Sequence, residues 1–183
     1  MIAIITHSDL NEYKHISTNI SSGVFNNYLQ EAQELDLRVL LGEELYIDIL
    51  DDIVASPSLN DYDDLVYGST YEYNEKRYKH EGLKSVLAYF AYSRYLKSTG
   101  SNSTPYGLVV KKTDFSEPIS EKTLARQISQ SISAAHSYWD RVKLFLIHNK
   151  NDYPLFKCQV STQGSIRVTG IGGNSSDRRK YYK

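Results

Sequence analysis

"SEKTLARQISQSISAAHSYWDRVKLFLIHN", Ser120 to Asn149, decides the fold. Leu124, Ile128, Ile132, Ala135, Trp139, Val142 and Leu146 recur at spacings of three and four. That repeat places side chains on one face of an α-helix. Ser120 and Glu121 supply the start: a hydroxyl that can cap unpaired backbone N–H groups, and an acid at the positive end of the helix dipole. "NKNDYP", Asn149 to Pro154, supplies the stop. The helix would run about 45 Å. A compact domain of 183 residues is only ~40 Å across. The helix therefore spans the domain or slightly overhangs it, and Trp139 is expected in its core.

Upstream, "LKSVLAYFAYSRYLKS" follows Gly82 and predicts a second helix from Leu83 to Ser98. Val86, Leu87, Tyr89, Phe90, Ala91, Tyr92, Tyr95 and Leu96 cover nearly all its sides, so it is buried on most of them. It is either the centre of a bundle in one chain or a helix shared between its own chain and a neighbour. Between the two helices lies "TPYGLVVKKTDFSEP", Thr104 to Pro118. The prolines and Tyr106-Gly107 are turn chemistry. Leu108 to Lys112 is a β-like run that needs a pairing partner for its backbone.

Before the second helix, Tyr71, Tyr73 and Tyr78 alternate with polar residues around Asn74-Glu75, the pattern of a β-hairpin. An isolated hairpin is marginal, so this one must lean on the helices or on another chain. Further toward the N-terminus, Phe25, Tyr28, Leu29, Ala32 and Leu35 begin a helical stripe that runs through Val39 and Leu40 to a cap or kink at Gly42. Leu45, Ile49, Leu50 and Ile53 repeat it over Glu43 to Val54. A short helix over Ser8 to Tyr13, capped by Ser8 with Asp9 in its first turn, completes the set.

Glu43 to Asp64 holds eight acidic residues and no Lys or Arg. "NDYDD", Asn60 to Asp64, lacks the turn glycine and the distal bidentate Glu of a calcium loop. It predicts a solvated acidic face, able to dock a basic element, and no metal site. After Phe156 the composition turns to Gly and Ser, too poor in apolar residues for a core of its own. It ends in "RRKYYK", a charge of +4 over Arg178 to Lys183. Arg178, Arg179, Lys180, Tyr181 and Tyr182 could grip phosphate and stack on bases, dock on an acidic surface, or remain a solubilising tail. The expected fold is mainly α: a helical bundle of about four helices with a small β-hairpin, an extended inter-helix loop and a C-terminal arm. The body is 1–156 and the arm 157–183.

The net charge of −1 excludes a polycation that coats nucleic acid. Cys158 is the single cysteine, which excludes a disulfide scaffold. The N-terminus lacks the basic and apolar regions of a signal peptide, and no apolar run approaches the ~18 residues of a membrane span. Sixteen tyrosines stand against one Trp and five Phe, and half-wet rings of that kind suit interfaces. "GIGGN", Gly170 to Asn174, precedes no helix and so has no dipole to hold a phosphate. His7, His15, His80, His136 and His148 have no metal-ligand spacing, and Cys158 has no base beside it. No catalytic residues and no cofactor are assigned, so the chain is not expected to be an enzyme.

Three segments together resemble the head–tail connector, or adaptor, proteins of tailed bacteriophages. The segments are "NNYLQEAQELDLRVLLGEELYIDIL" (Asn26 to Leu50), the tyrosine hairpin with "GLKSVLAYFAYSRYL" (Gly82 to Leu96), and "TPYGLVVKK" leading into the long helix. The likeness is to the form found in phages of Bacteroidales, crAss-like phages included, and covers roughly Thr6 to Phe156. It implies a structural virion protein of the neck, assembled in the host cytoplasm. Such a protein forms a ring, commonly of twelve copies, that joins the portal protein to other neck or tail proteins. DNA passes through the channel without sequence-specific binding, and no membrane is involved. On that likeness Tyr106, Lys111 and Lys112 would sit on a loop facing the lumen or a neighbouring subunit. A hairpin solvated within one chain is the alternative for that loop. A DNA-associated accessory protein using the basic tail, or an unrecognised phage enzyme, are the alternatives for the whole chain.

Overall fold

The computed structural model describes residues 3–13, 22–55, 61–99, 102–104, 107–109 and 119–157. Its elements are α1 (His7–Tyr13), α2 (Ser22–Ala32), a π-helical turn (Gln33–Leu37), α3 (Arg38–Leu41), α4 (Glu43–Ala55) and α5 (Asp63–Tyr67). They continue with β1 (Thr70–Tyr73), β2 (Lys76–Lys79), α6 (Gly82–Thr99), β3 (Asn102–Thr104), β4 (Gly107–Val109) and α7 (Glu121–His148). The fold is a mainly helical bundle with small antiparallel hairpins. No helix among the described residues is long and apolar enough to cross a membrane.

α7 begins where its sequence predicts. Ser120 is extended, and its hydroxyl oxygen accepts from the Thr123 backbone N–H at 3.3 Å. Ala135, Trp139, Val142, Phe145 and Leu146 are buried. Leu124 and Ile128 are only half-buried, and the first fully buried position is Ser131. Among the described residues the N-terminal third of the rod is therefore less deeply packed than the rest.

α6 is the centre. It packs on α7, α2, α5 and α1, and Leu83, Val86, Leu87, Ala88, Phe90, Ala91 and Leu96 are all buried. Its buried serines satisfy themselves within the helix: Ser85 Oγ donates to the Gly82 carbonyl and Ser93 Oγ to the Phe90 carbonyl. Lys84 donates to Asp9 at 2.7 Å and ties α1 to α6. The cap of α1 is Thr6, not Ser8. The Asp9 carboxylate reaches back to accept from the Thr6 backbone N–H at 2.7 Å and from its hydroxyl at 2.8 Å, half of a capping box.

The tyrosine hairpin forms in the register its alternation sets, Tyr71 opposite Tyr78 and Tyr73 opposite Lys76. Asn74 and Glu75 both take positive φ, 51° and 62°, as a two-residue primed turn demands. The hairpin leans on the C-terminal end of α7. Tyr73 stacks face to face on His148 at 3.7 Å, Tyr71 meets Phe145 edge-on at 5.1 Å, and the Tyr71 hydroxyl lies 3.1 Å from His148 Nδ1. At its base the incoming and outgoing backbones touch. A Cβ on Gly82 would sit 2.4 Å from the Val66 carbonyl oxygen, and one on Gly68 2.6 Å from that of His80. Both glycines also have φ near +80°, at +75° and +90°, so no side chain fits either place.

β4 answers the pairing question in the long inter-helix stretch. Leu108 pairs with Ser103 and Val109 with Asn102. Beyond α7 the chain turns back onto the body. Tyr153 and Phe156 are buried, Phe156 meets Trp139 edge-on at 6.3 Å, and Lys157 reaches Glu44 of α4 at 2.7 Å.

Many of the described tyrosines make ring contacts within the chain, yet only Tyr46 and Tyr153 among them are buried and most of the others stay half-buried. Tyr28 and Tyr95 pack with Phe25, Tyr89 packs on Tyr138, and Tyr62 on Tyr153. Tyr46 is buried, with its hydroxyl donating to Glu34 Oε1 at 2.6 Å; burial pushes its pKa up to about 12.

Candidate functional site

The sequence predicts Leu35 and Val39 on the buried stripe of one continuous helix. They are instead 60% and 65% exposed. The π-helical turn over Gln33–Leu37 is the cause. A π-turn fits an extra residue into the helix and rotates the residues beyond it. Here it swings Gln33 inward, where its Oε1 accepts from the Ile4 backbone N–H at 3.0 Å and its Nε2 donates to the Tyr46 hydroxyl at 3.1 Å. Leu37 and Leu41 then take the core positions, and Leu35 and Val39 turn outward, one turn apart.

The outward pair forms one wall of a groove of about 260 Å³ between the π-turn, α6 and α7. Phe90 and Ile132 supply apolar floor, and His136 meets the Phe90 ring edge-on at 5.4 Å. Arg94 crosses the groove to hold Asp36 with two hydrogen bonds, 2.9 Å from Nε and 3.1 Å from Nη2. Those bonds raise the Arg94 pKa against the opposing effect of burial. The fork braces the π-turn against α6 and sets the groove's width. Lys97 stands at its mouth. On the outer side of the turn, Arg38 bonds Glu34 at 2.9 Å and also Glu43, so the helix end at Gly42 is fixed from both flanks. The lining offers an apolar trough with a cationic rim, which suits an apolar side chain or an extended segment.

A second surface is the acidic run. On α4, Glu44, Ile47, Asp48, Asp51 and Val54 are exposed along one stripe, and on α5 so are Asp63, Asp64 and Tyr67. Asp48 accepts from the Tyr62 hydroxyl. Burial, and then that bond, push the Tyr62 pKa well above its ordinary value. The face is thus partly apolar as well as acidic. Among the described residues no group of three or more His, Cys, Asp or Glu side chains could hold a metal ion.

His80 is buried where the hairpin leaves the body. Its Nε2 lies 3.2 Å from Ser69 Oγ, its ring stacks on Phe145 at 4.1 Å, and among the described residues Nδ1 has no hydrogen-bond partner. Burial lowers its pKa, against the pull of Asp64 and Glu81.

Of the residues singled out from sequence, Tyr106, Lys111 and Lys112 lie outside the described residues, as do Arg178, Arg179, Lys180, Tyr181 and Tyr182. Trp139 is in the core. The groove residues Leu35, Val39 and Arg94 escaped sequence reasoning. Their spacing is that of an ordinary helix face, and the only trace of the irregularity is a buried-stripe position filled by Gln33.

Fold and surfaces together define a helical bundle with an apolar groove on one flank and an acidic, partly apolar face on another. The chain belongs to the family of unknown function DUF6712, whose sequence pattern matches residues 37–166. No curated protein and no solved structure matches the chain.

Proposed function

We propose that the chain is a structural subunit of a tailed-phage virion, forming a ring at the neck that joins the portal protein to the tail. One observation carries the proposal beyond the sequence resemblance. A single small subunit combines an exposed acidic face, bearing Ile47, Val54 and Tyr67, with a C-terminal sequence of charge +4. A ring needs a heterologous contact, made of two unlike and complementary patches per copy, and these two patches have the required opposite character. On this reading the chain is not an enzyme, the copies number twelve, Tyr106, Lys111 and Lys112 face the lumen or a neighbour, and Arg178 to Tyr182 reach the next subunit or another neck protein.

Negative-stain imaging of the full chain, alone and with a portal protein from the same genome, tests the proposal. Closed rings of one diameter are expected. A chain that stays monomeric with the portal, and is missing from purified virions by mass spectrometry, overturns it. The basic end also favours a second reading, an accessory protein that binds DNA. In that case affinity for duplex or single-stranded DNA would fall steeply with salt and vanish on removing the last six residues.

A further inference from the structure

Two partly apolar surfaces of the chain carry opposite charge. The groove beside the π-turn is walled by the exposed Leu35 and Val39. Of its charged lining residues, Arg94 is held by Asp36, which leaves Lys97 at the mouth, in no ion pair among the described residues. At about 260 Å³ the groove is smaller than the ~300–1,000 Å³ of a small-molecule site, and its size suits an anchoring side chain. α4 supplies a counterpart. Its sequence holds Glu43, Glu44, Asp48, Asp51 and Asp52 and no Lys or Arg. Leu45, Tyr46 and Ile49 bury one face of the helix, and Glu44, Ile47, Asp51 and Val54 line the exposed face at spacings of three and four. Glu44 and Asp48 already meet Lys157 and the Tyr62 hydroxyl, whereas Asp51 is in no ion pair among the described residues. Only Gly42 separates α4 from the helix that walls the groove. With its inner face fixed in the core, α4 cannot turn its stripe over its own trough.

We propose that the groove of one copy seats the α4 stripe of a second copy, with Ile47 in the trough against Leu35, Val39 and Ile132 and Asp51 at Lys97. Ile47 and Asp51 are one helical turn apart, about 6 Å, so a single helix reaches both trough and mouth. Burying exposed apolar residues from both sides drives the association, and the charges set its register. Pairing two grooves about a two-fold axis would instead bring Lys97 toward its own copy, like charge to like. The contact is heterologous. Each bound copy leaves one groove and one stripe free, so copies add until a ring closes. The inference rests on the ring reading for that closure, and it gives the ring a contact built from the described body of the subunit.

Cross-linking between two differently labelled full chains tests this. In a Cys158→Ser background, the Val39→Cys chain is mixed with the Ile47→Cys chain, or with a Lys76→Cys chain as the control. Each mixture is oxidised mildly, with and without a portal protein from the same genome. All three positions are exposed, so the variants should fold, and thermal melts check that they do. The Val39–Ile47 mixture should give at least ten times more mixed disulfide than the control, with the linked peptides identified by mass spectrometry. A yield no greater than the control overturns the proposal. So does a Val39→Cys chain that links mainly to itself, which assigns the groove to a two-fold dimer. Charge exchange gives an independent reading. Lys97→Glu and Asp51→Lys should each weaken self-association about tenfold in sedimentation, and a chain carrying both should recover it. A double variant no better than the single ones overturns the pairing of Asp51 with Lys97. Rings that form without the Val39–Ile47 link overturn this contact and leave the ring reading standing. A chain that stays monomeric with and without the portal overturns both.

Discussion

The two flanks of α7 are built on opposite principles. At the C-terminal end, the hairpin, His148, Phe145 and His80 interlock through ring contacts, and two glycines let the backbones touch. Its buried members, His80 and Phe145, and the two glycines leave little room for exchange. On the groove flank, Leu35 and Val39 are turned out of the core by a π-turn and held in place by charges, Arg94 on Asp36 and Arg38 on Glu34 and Glu43. The first flank resembles a packed interior. The second is a surface kept open at some cost in exposed apolar area, and such patches generally mark contact sites.

The contrast can be broken by substitution. Trp139 lies between the flanks and is buried against Phe156. Trp139→Ala should cost about 3–5 kcal/mol in denaturant unfolding. A loss below about 1 kcal/mol would mean that the site collapses easily and the core is looser than the rings imply. Gly82→Ala attacks the interlocked flank alone. Its new Cβ meets the Val66 carbonyl, and its φ is unfavourable, so a loss of about 3 kcal/mol is expected. A neutral result would show that the hairpin base can shift and is not locked.

His80 sharpens the comparison through pH. Its folded pKa lies below the ordinary 6.5, so the unfolded chain binds the proton more readily. Its contribution to stability is complete above about pH 6.5 and declines on acidification through the window down to the folded value. The slope from this one group is at most about 1.4 kcal/mol per pH unit. Stability curves of the native chain and of His80→Gln should diverge below pH ~6.5. Parallel curves would mean that burial leaves His80 unaffected. Tyr73→Ala removes a stacked ring that is itself 39% exposed, and should cost about 1 kcal/mol. The smallest effect belongs to the chain that follows α7. Lys157 and Glu44 are both largely in water, so Lys157→Ala should change stability by no more than ~0.5 kcal/mol, less in high salt. A larger change would mean that the pair anchors more chain than its own contact.

Much of the bundle is legible from local pattern. The three-and-four stripe from Leu124 to Leu146, with Ser120 before it, specifies α7 because helix period and N-cap chemistry are properties of adjacent residues. The apolar girdle of α6 places it at the centre for the same reason, and strict alternation around Asn74-Glu75 sets the hairpin's register. The groove was not legible. Leu35 and Val39 fit a regular helix as well as their buried neighbours do, and inserting a residue at a π-turn changes local energy little. The choice fell to distant partners, the Ile4 N–H and the Tyr46 hydroxyl, which bond Gln33 from 29 and 13 residues away.

The sequence by itself determined the helical class, the spans of the main helices, the tyrosine hairpin and the acidic run, because each rests on periodicity or composition within a short window. Tertiary structure decided the rest: which apolar residues face out, which rings the described tyrosines pack against, and that Gly68 and Gly82 mark a backbone crossing. Those outcomes depend on which segments meet, and a one-residue rotation of a helix or a contact between two glycines leaves no periodic mark in the chain.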